Sequence, residues 1–327
     1  MTRTWMTIVT AVCVVAGGAR VSSAQTKAPM KTPWGDPDLQ GTWTNETITP
    51  FERPANLAGK AFLTPEEAAA IEKRSATQRE SSDEAPPRAG DVGNYNQFWM
   101  DSGSKVVASR RTSLVIEPSD GRVPVRPAAE KRRTDYAAQE SDGFEFMSPW
   151  DRCITRGIPG AFFPAGYNNA YQIVQAPGYV VIHYEMIHAA RVIPTDNRKH
   201  LPEAMRFWDG DSVGHWEGNT LVVDITNYNG KGWIATNAAS GRIRGIPQGE
   251  GLHAVERFTR TDQNTIDYQV TIDDPKVYTT GWKVAIPLNR ADDYQIYEYA
   301  CHEGNQAVEH VLRGGRAAER ETSATKP

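Results

Sequence analysis

The sequence predicts a mainly β fold, an antiparallel up-and-down meander that closes into a barrel or a strongly curved sheet. Short apolar and polar alternations follow one another between Tyr167 and Glu303. Tight turns such as Pro177-Gly178 and Glu217-Gly218-Asn219 separate neighbouring segments, as they do in hairpins. Strict alternation over 265–272 is typical of a strand with one buried face. Consecutive strands with tight turns favour a meander or barrel.

The first 24 residues are predicted to be a secretory signal peptide. Arg3 supplies a positive start, an apolar stretch follows, and small residues end at Ala24, near which cleavage is expected. The apolar stretch is shorter than the about 20 residues that a membrane span needs. We therefore expect a periplasmic or secreted protein; an uncleaved anchor is the alternative.

Residues 25–166 are predicted to form an N-terminal arm with helices and loops that wrap the core. Thr64 is an N-cap before Pro65 at the first helical position, and Glu67 completes a capping box. A second helix is expected over 127–139. The polar stretch 75–93 is expected to be a loop.

The predicted core, residues 167–303, contains nine strands, and residues 304–327 follow as a short helix and a tail. The predicted strands are 170–175, 179–184, 190–195, 213–216, 220–227, 252–260, 265–272, 282–288 and 295–302.

Composition excludes two classes of partner. The net charge of −4 is small and the charged residues are mixed in sign, so a nucleic-acid partner is not expected. No segment after the signal is apolar enough to cross a bilayer, so no membrane span is expected. A homo-oligomer stays open.

Two cysteines remain once Cys13 leaves with the signal peptide. In an oxidising compartment Cys153 and Cys301 are expected to form a disulfide. The alternative is a reactive thiol at Cys301 beside His302.

The apolar stretch 179–193 contains four ionisable residues, which are costly to bury unless they are paired or used. We expect His188 to act as general base or acid, Glu185 to orient it, and Arg191 to stabilise negative charge on a substrate. His183 shares a strand face with Glu185. The alternative is a hairpin end in which Glu185 and Arg191 form a salt bridge.

Further residues are expected around this group. His215 and His302 are placed with the catalytic residues, at the rim of the site. The predicted substrate-binding residues are Tyr167, Asn169, His183, Trp208, Trp216 and Tyr299. No metal and no cofactor is predicted. Zinc held by the histidines and Glu185 is the alternative, although their spacing on strands differs from the helical His-Glu-x-x-His pattern.

Several distinct motifs are spread over nearly the whole mature chain: Gly35-Asp-Pro-Asp-Leu-Gln-Gly-Thr-Trp43, Tyr167-Asn-Asn169, Gly178-Tyr-Val-Val-Ile182, Gly214-His-Trp-Glu-Gly-Asn-Thr-Leu-Val-Val-Asp224, Val255-Glu-Arg-Phe-Thr-Arg260 and Tyr297-Glu-Tyr-Ala-Cys-His-Glu-Gly-Asn305. In these motifs the chain resembles a large family of exported soil-bacterial proteins. The resemblance implies export and brings no assigned chemistry. Gly41-Thr-Trp43 also resembles the opening of lipocalin-type barrels, which implies a calycin-like barrel.

Two classes of function follow. The first is an exported, cofactor-independent lyase or isomerase (or, as a weaker candidate, a hydrolase) that uses acid–base chemistry on a hydrophobic oxygenated or aromatic small molecule in a barrel pocket. The second is a lipocalin-like protein that binds such a molecule without changing it. A convergent Glu–His–Arg group would favour the enzyme, and a pocket of apolar and neutral groups would favour the carrier.

Overall fold

The computed structural model describes residues 30–84, 100–235 and 243–324. The predicted signal peptide, residues 1–24, lies outside these ranges. The described part of the chain is mainly β, with one antiparallel sheet that curves into a nearly closed barrel, as predicted.

The sheet contains ten strands in the described residues. Its order is β5-β4-β3-β1-β10-β9-β8-β7-β6, and β2 also pairs with β10. The strands are β1 (Gly41–Thr44), β2 (Val115–Glu117), β3 (Ala170–Ala176), β4 (Tyr179–Tyr184), β5 (Ala190–Pro194), β6 (Asp211–Glu217), β7 (Thr220–Thr226), β8 (His253–Arg260), β9 (Thr265–Asp273) and β10 (Trp282–Arg290).

Two meanders make up the barrel, β3–β5 and β6–β10, and β1 joins them. The strand β1 pairs with β3 on one side and with β10 on the other. The barrel core therefore needs residues 41–44 and 115–117, which the sequence assigned to the wrapping arm.

One seam of the barrel, between β5 and β6, lacks a backbone ladder. Arg191 Nε of β5 donates to Ser212 Oγ of β6 across it, at 3.0 Å. Gly214 permits the approach, because a Cβ there would lie 2.9 Å from Cγ2 of Ile193. Side chains therefore join the two strands where backbone hydrogen bonds do not.

Three α-helices lie in the described residues: α1 (Pro65–Glu84), α2 (Pro127–Ala138) and α3 (Ala307–Ala324). The predicted capping box is present, since Thr64 N donates to Glu67 Oε2 and Glu67 N to Thr64 Oγ1. No helix among the described residues is both long and apolar enough to span a membrane.

Three local predictions were wrong. Residues 75–84 continue helix α1, although their polar composition predicted a loop. The stretch 295–302 contains no strand, and α3 is longer than the short closing helix that was expected. Within 295–302, Ile296, Tyr299 and Cys301 are partly buried and the other residues are exposed, so the segment lies along the surface.

The barrel interior is filled mainly by aromatic and aliphatic side chains. Phe162 stands at its centre, with ring centroids 4.5 Å from Tyr268 and 4.7 Å from Tyr171. Trp43 and Trp282 are fully buried as well. The predicted disulfide between Cys153 and Cys301 is confirmed, with Cα atoms 5.7 Å apart.

Candidate functional site

A cleft of about 340 Å³ lies against the outside of the barrel wall. Its floor comes from β1, β3 and β4, and its other wall comes from residues 291–306, here called the C-terminal segment. The lining residues are Thr42, Gln172, His183, Tyr294, Gln295 and Ile296.

Strand register places three floor residues side by side. Thr42 pairs with Gln172, and Gln172 pairs with His183. Their neighbours Trp43, Tyr171 and Tyr184 are buried, so the intervening positions point outward, because strand side chains alternate between faces. A hydroxyl, an amide and an imidazole thus form one row across the floor.

His183 is half-buried, and no hydrogen bond or ion pair of its ring occurs among the residues that the structure describes. Imidazole is the side chain that accepts and returns a proton near neutral pH. In this cleft its ring nitrogens stay available to a bound molecule.

Tyr294 forms the opposite wall and is fixed by a buried carboxylate. Its hydroxyl donates to Glu185 Oε1 at 2.6 Å. Burial and the hydrogen bond to Glu185 raise the pKa of Tyr294 well above its usual value. The Tyr294 hydroxyl therefore stays protonated and directs its proton towards Glu185. The lone pairs of its oxygen can accept hydrogen bonds from other groups.

Glu185 is only 1% exposed and lies near a second carboxylate. Its Oε2 finds no hydrogen-bond partner among the described residues. Burial raises the pKa of the Asp101 carboxyl, and the nearby charge of Glu185 raises it further. Asn169 holds Asp101, donating to both carboxylate oxygens at 2.9 Å.

The turn that carries Glu185 has a strained backbone. Residues 186–188 form a 3-10 turn in which Ile187 has φ 62° and ψ 14°. A β-branched residue in this left-handed region is an outlier, and such strain clusters at functional sites. His188 belongs to this turn, but its side chain lies outside the described part of the structure, so its predicted role stays a prediction.

Arg191 lies apart from Glu185, inside the barrel. Its Nη1 donates to Glu256 Oε2 at 2.6 Å, and Tyr268 donates to Glu256 Oε1 at 2.8 Å. No ion pair between Glu185 and Arg191 exists in the described residues. The alternative Glu185–Arg191 salt bridge is therefore not seen among the described residues, whereas the grouping of His188 with Glu185 and Arg191 stays a prediction.

The predicted rim histidines are both exposed. His215 lies on the outer face of β6, with Nε2 3.2 Å from Glu217 Oε1. His302 follows Cys301 in the C-terminal segment. Neither belongs to the lining of the cleft.

The predicted substrate-binding residues are spread over several places. Asn169 is fully buried, and its side chain is saturated by Asp101 and Ala165. Tyr167 and Tyr299 pack in a small satellite cluster, which also contains Trp150, Met186 and Ile187. Trp208 lies under the guanidinium of Arg152, at 5.8 Å, and Trp216 packs partly buried against the core. Of the six, His183 lines the cleft.

Sequence reasoning missed several residues of this region. Gln172 could have been found, because a hairpin turn at Pro177-Gly178 sets Gln172 opposite His183. Tyr294 and Asp101 are brought to Glu185 by tertiary structure alone, and no local pattern marks them.

Among the described residues no group of three or more His, Cys, Asp or Glu side chains is arranged to hold a metal ion. The chain matches no protein-family model. Searches of curated proteins and of solved structures find no match either. The family resemblance therefore stays a prediction, and the function is argued from the cleft.

Proposed function

We propose that the protein is an exported acid–base enzyme of the lyase or isomerase class, which acts on an oxygenated small molecule in the outer cleft. The observation that carries the proposal is the position of His183. Its ring faces the cleft without a hydrogen-bond partner in the described part of the chain, opposite a tyrosine that Glu185 holds in place.

The lining defines the substrate class. Thr42, Gln172 and Gln295 supply neutral hydrogen-bonding groups, whereas Tyr294 and Ile296 supply apolar surface. Pockets of this kind orient a ligand through a few polar groups and bind it through apolar contact. A molecule with hydroxyl or carbonyl oxygens and an apolar face fits this lining.

Both reaction classes need a proton to leave one atom and arrive at another. His183 can take up the proton and also return it. In an elimination, His183 takes a proton from the carbon beside a carbonyl, the bond to the β-oxygen breaks, and the departing oxygen receives the proton. In an isomerisation the proton returns to a different carbon. No electrons enter or leave, so the step balances without a cofactor.

The remaining groups stabilise the charge that develops. The amides of Gln172 and Gln295 and the hydroxyl of Thr42 can donate to an enolate oxygen, which is where preorganised donors lower a barrier. Tyr294 can accept a hydrogen bond from a substrate hydroxyl, because its own proton lies on Glu185. The lining residues can therefore bind the substrate and orient it while His183 removes its proton.

A carrier without catalysis is the second candidate. It is favoured by the neutral character of Thr42, Gln172 and Gln295, which bind well and transfer no proton. The barrel interior is packed around Phe162, so a ligand would occupy the outer cleft in this case too.

One experiment separates the two candidates. A panel of β-hydroxy and β-alkoxy carbonyl compounds is incubated with the protein in D₂O, and binding, C–H exchange and conversion are followed by proton NMR. We expect exchange or conversion that is lost in His183→Gln, while binding persists. Compounds that bind in the cleft without exchange or conversion would establish the carrier instead.

A further inference from the structure

A second cavity, inside the barrel wall beside the seam, has a lining unlike that of the cleft. Its volume is about 20 Å³. Its polar lining residues are Thr155, Arg156, Tyr184, Arg191 and Asp209. The cavity belongs to the interior and shares no lining residue with the outer cleft.

Three of these residues carry buried polar atoms without a hydrogen-bond partner among the described residues. The atoms are Arg156 Nε, Arg191 Nη2 and the Tyr184 hydroxyl. The residues are 5%, 9% and 3% exposed. All three groups can donate, and the two arginine groups can do nothing else. A buried donor without an acceptor costs about 1–3 kcal/mol, so three around one cavity call for an acceptor inside it.

The charges of the two arginines are balanced differently. Arg191 forms an ion pair with Glu256 at 2.6 Å. Arg156 donates to the carbonyl oxygens of Phe163, at 3.0 Å, and Ala161, at 3.5 Å. No carboxylate forms an ion pair with Arg156 in the described part of the chain. Asp209 is the acidic residue that lines the same cavity as Arg156.

Asp209 is the acidic group in the cavity wall, and one of its oxygens is already occupied. Thr155 donates to Asp209 Oδ1 at 2.7 Å. Burial raises the pKa of Asp209, and the hydrogen bond from Thr155 lowers it. Glu256 is occupied by Arg191 and Tyr268.

We propose that this cavity binds one small monovalent anion of the halide class, held by Arg156, Arg191 and Tyr184. The volume exceeds the 10–15 Å³ or so that a single water-sized occupant requires, and leaves no room for a polyatomic ligand of substrate size. A halide can accept from all three donors. A water molecule has two lone pairs and can accept from at most two of these three donors.

The test measures thermal unfolding of the full mature protein at constant ionic strength, with chloride or bromide replaced by gluconate, which is too large to enter. Halide should raise the melting temperature by on the order of a few degrees, because a ligand that binds only the folded state stabilises it. Crystals grown in bromide should show an anomalous peak between the two guanidinium groups.

Tyr184→Phe removes one donor, and Tyr278→Phe is its matched control. Tyr278 also has a buried hydroxyl for which the described residues provide no hydrogen-bond partner, but it does not line the cavity. Tyr184→Phe should lose most of the halide-dependent shift, and Tyr278→Phe should keep it. A melting temperature independent of halide, with no bromide peak, would overturn the proposal and leave water as the occupant. An equal shift in both variants would also overturn it.

Discussion

The hydroxyl of Tyr294 and Oε1 of Glu185, 109 residues apart in sequence, are joined by a hydrogen bond of 2.6 Å. This contact fastens the C-terminal segment to the strained turn between β4 and β5. It also builds the wall of the outer cleft opposite His183. One hydrogen bond therefore couples the stability of the segment to the geometry of the candidate site.

Tyr294→Phe should destabilise the protein by about 1–3 kcal/mol, because it leaves the buried Glu185 carboxylate with no partner on either oxygen. Chemical unfolding measures the loss. Adding Glu185→Gln should recover part of it, since the neutral amide is less costly to leave unpaired. Tyr297→Phe, at a residue 67% exposed, is the control and should change little. Equal effects at Tyr294 and Tyr297 would mean that the hydrogen bond is not made in solution.

His183→Gln should lower turnover of a cleft substrate by a factor of about 10² to 10⁴, the usual cost of losing a general acid or base. Unfolding free energy should stay within about 0.5 kcal/mol, since the ring is half-buried and unbonded. His215→Gln is the control on the outer face of β6. His188→Ala tests the assignment made from sequence. If it abolishes turnover while His183→Gln does not, catalysis belongs to the turn and not to the cleft floor.

Glu256→Gln should cost about 3–5 kcal/mol of folding free energy, because it leaves Arg191 charged and unpaired inside the barrel. Replacing both partners by apolar residues, Arg191→Met with Glu256→Leu, should recover much of that loss. Urea unfolding provides the measurement. The exposed pair Lys131–Asp135 is the comparison, and its removal should change stability by only about 0.3–0.5 kcal/mol. A small effect of Glu256→Gln would indicate that water reaches the pair.

Stability should fall as pH rises above about 6.5, in part because of His253. The hydrogen bond to Asp224 raises the pKa of His253 above its ordinary value of 6.5, with a smaller contribution from Asp273. The imidazolium thus stabilises the fold below pH 6.5, and this contribution is lost as pH rises through the folded-state pKa.

At acid pH the dependence is reversed, and folding stability falls as the pH falls. Hydrogen bonds from His253 and His200 lower the pKa of Asp224 below its ordinary 3.8, so the stabilisation from Asp224 is present above pH 3.8 and lost below it.

Urea unfolding between pH 5 and 8.5 checks the loss of stability at alkaline pH that is expected from His253. His253→Gln should flatten the slope, whereas His310→Gln, on the exposed helix α3, should not. An unchanged slope in His253→Gln would remove His253 as its cause.

Cys153→Ser with Cys301→Ser should lower stability by about 4–5 kcal/mol, the entropic value for opening a loop of 148 residues. Because Cys301 anchors the C-terminal segment, ligand binding in the cleft should weaken as well. Denaturant unfolding and ligand titration measure the two effects. Once reductant has opened its disulfide, the wild type should unfold at a midpoint close to that of the double variant. Equal unfolding midpoints of the oxidised, reduced and double-variant forms would show that the disulfide does not stabilise the fold.

The local elements were predictable from sequence because each carries its own pattern. The bounds of β4, Tyr179–Tyr184, were predicted to the residue, since a Pro-Gly turn precedes an alternating stretch. The disulfide was predictable because two cysteines lie outside the predicted signal peptide. The floor of the cleft follows from the same rules, through the register of Gln172 and His183.

The interior and the far wall were not predictable in this way. Alternation tells which face of a strand is buried, but it does not say which distant segment covers the other face. Arg191 was expected beside Glu185, yet it pairs with Glu256 because its side chain points into the barrel, where the fully buried carboxylate of this β8 residue lies 2.6 Å from its Nη1.

By itself, then, the sequence determined the mainly β class, the bounds of most strands to within two residues, the capping box and the disulfide, since these depend on neighbours along the chain or on simple pairing. The tertiary structure decided where β1 enters the sheet, which carboxylate meets Arg191, and that Tyr294 closes the cleft over His183. These depend on contacts between residues far apart in sequence, whose partners are chosen by packing of the whole barrel and leave no local pattern.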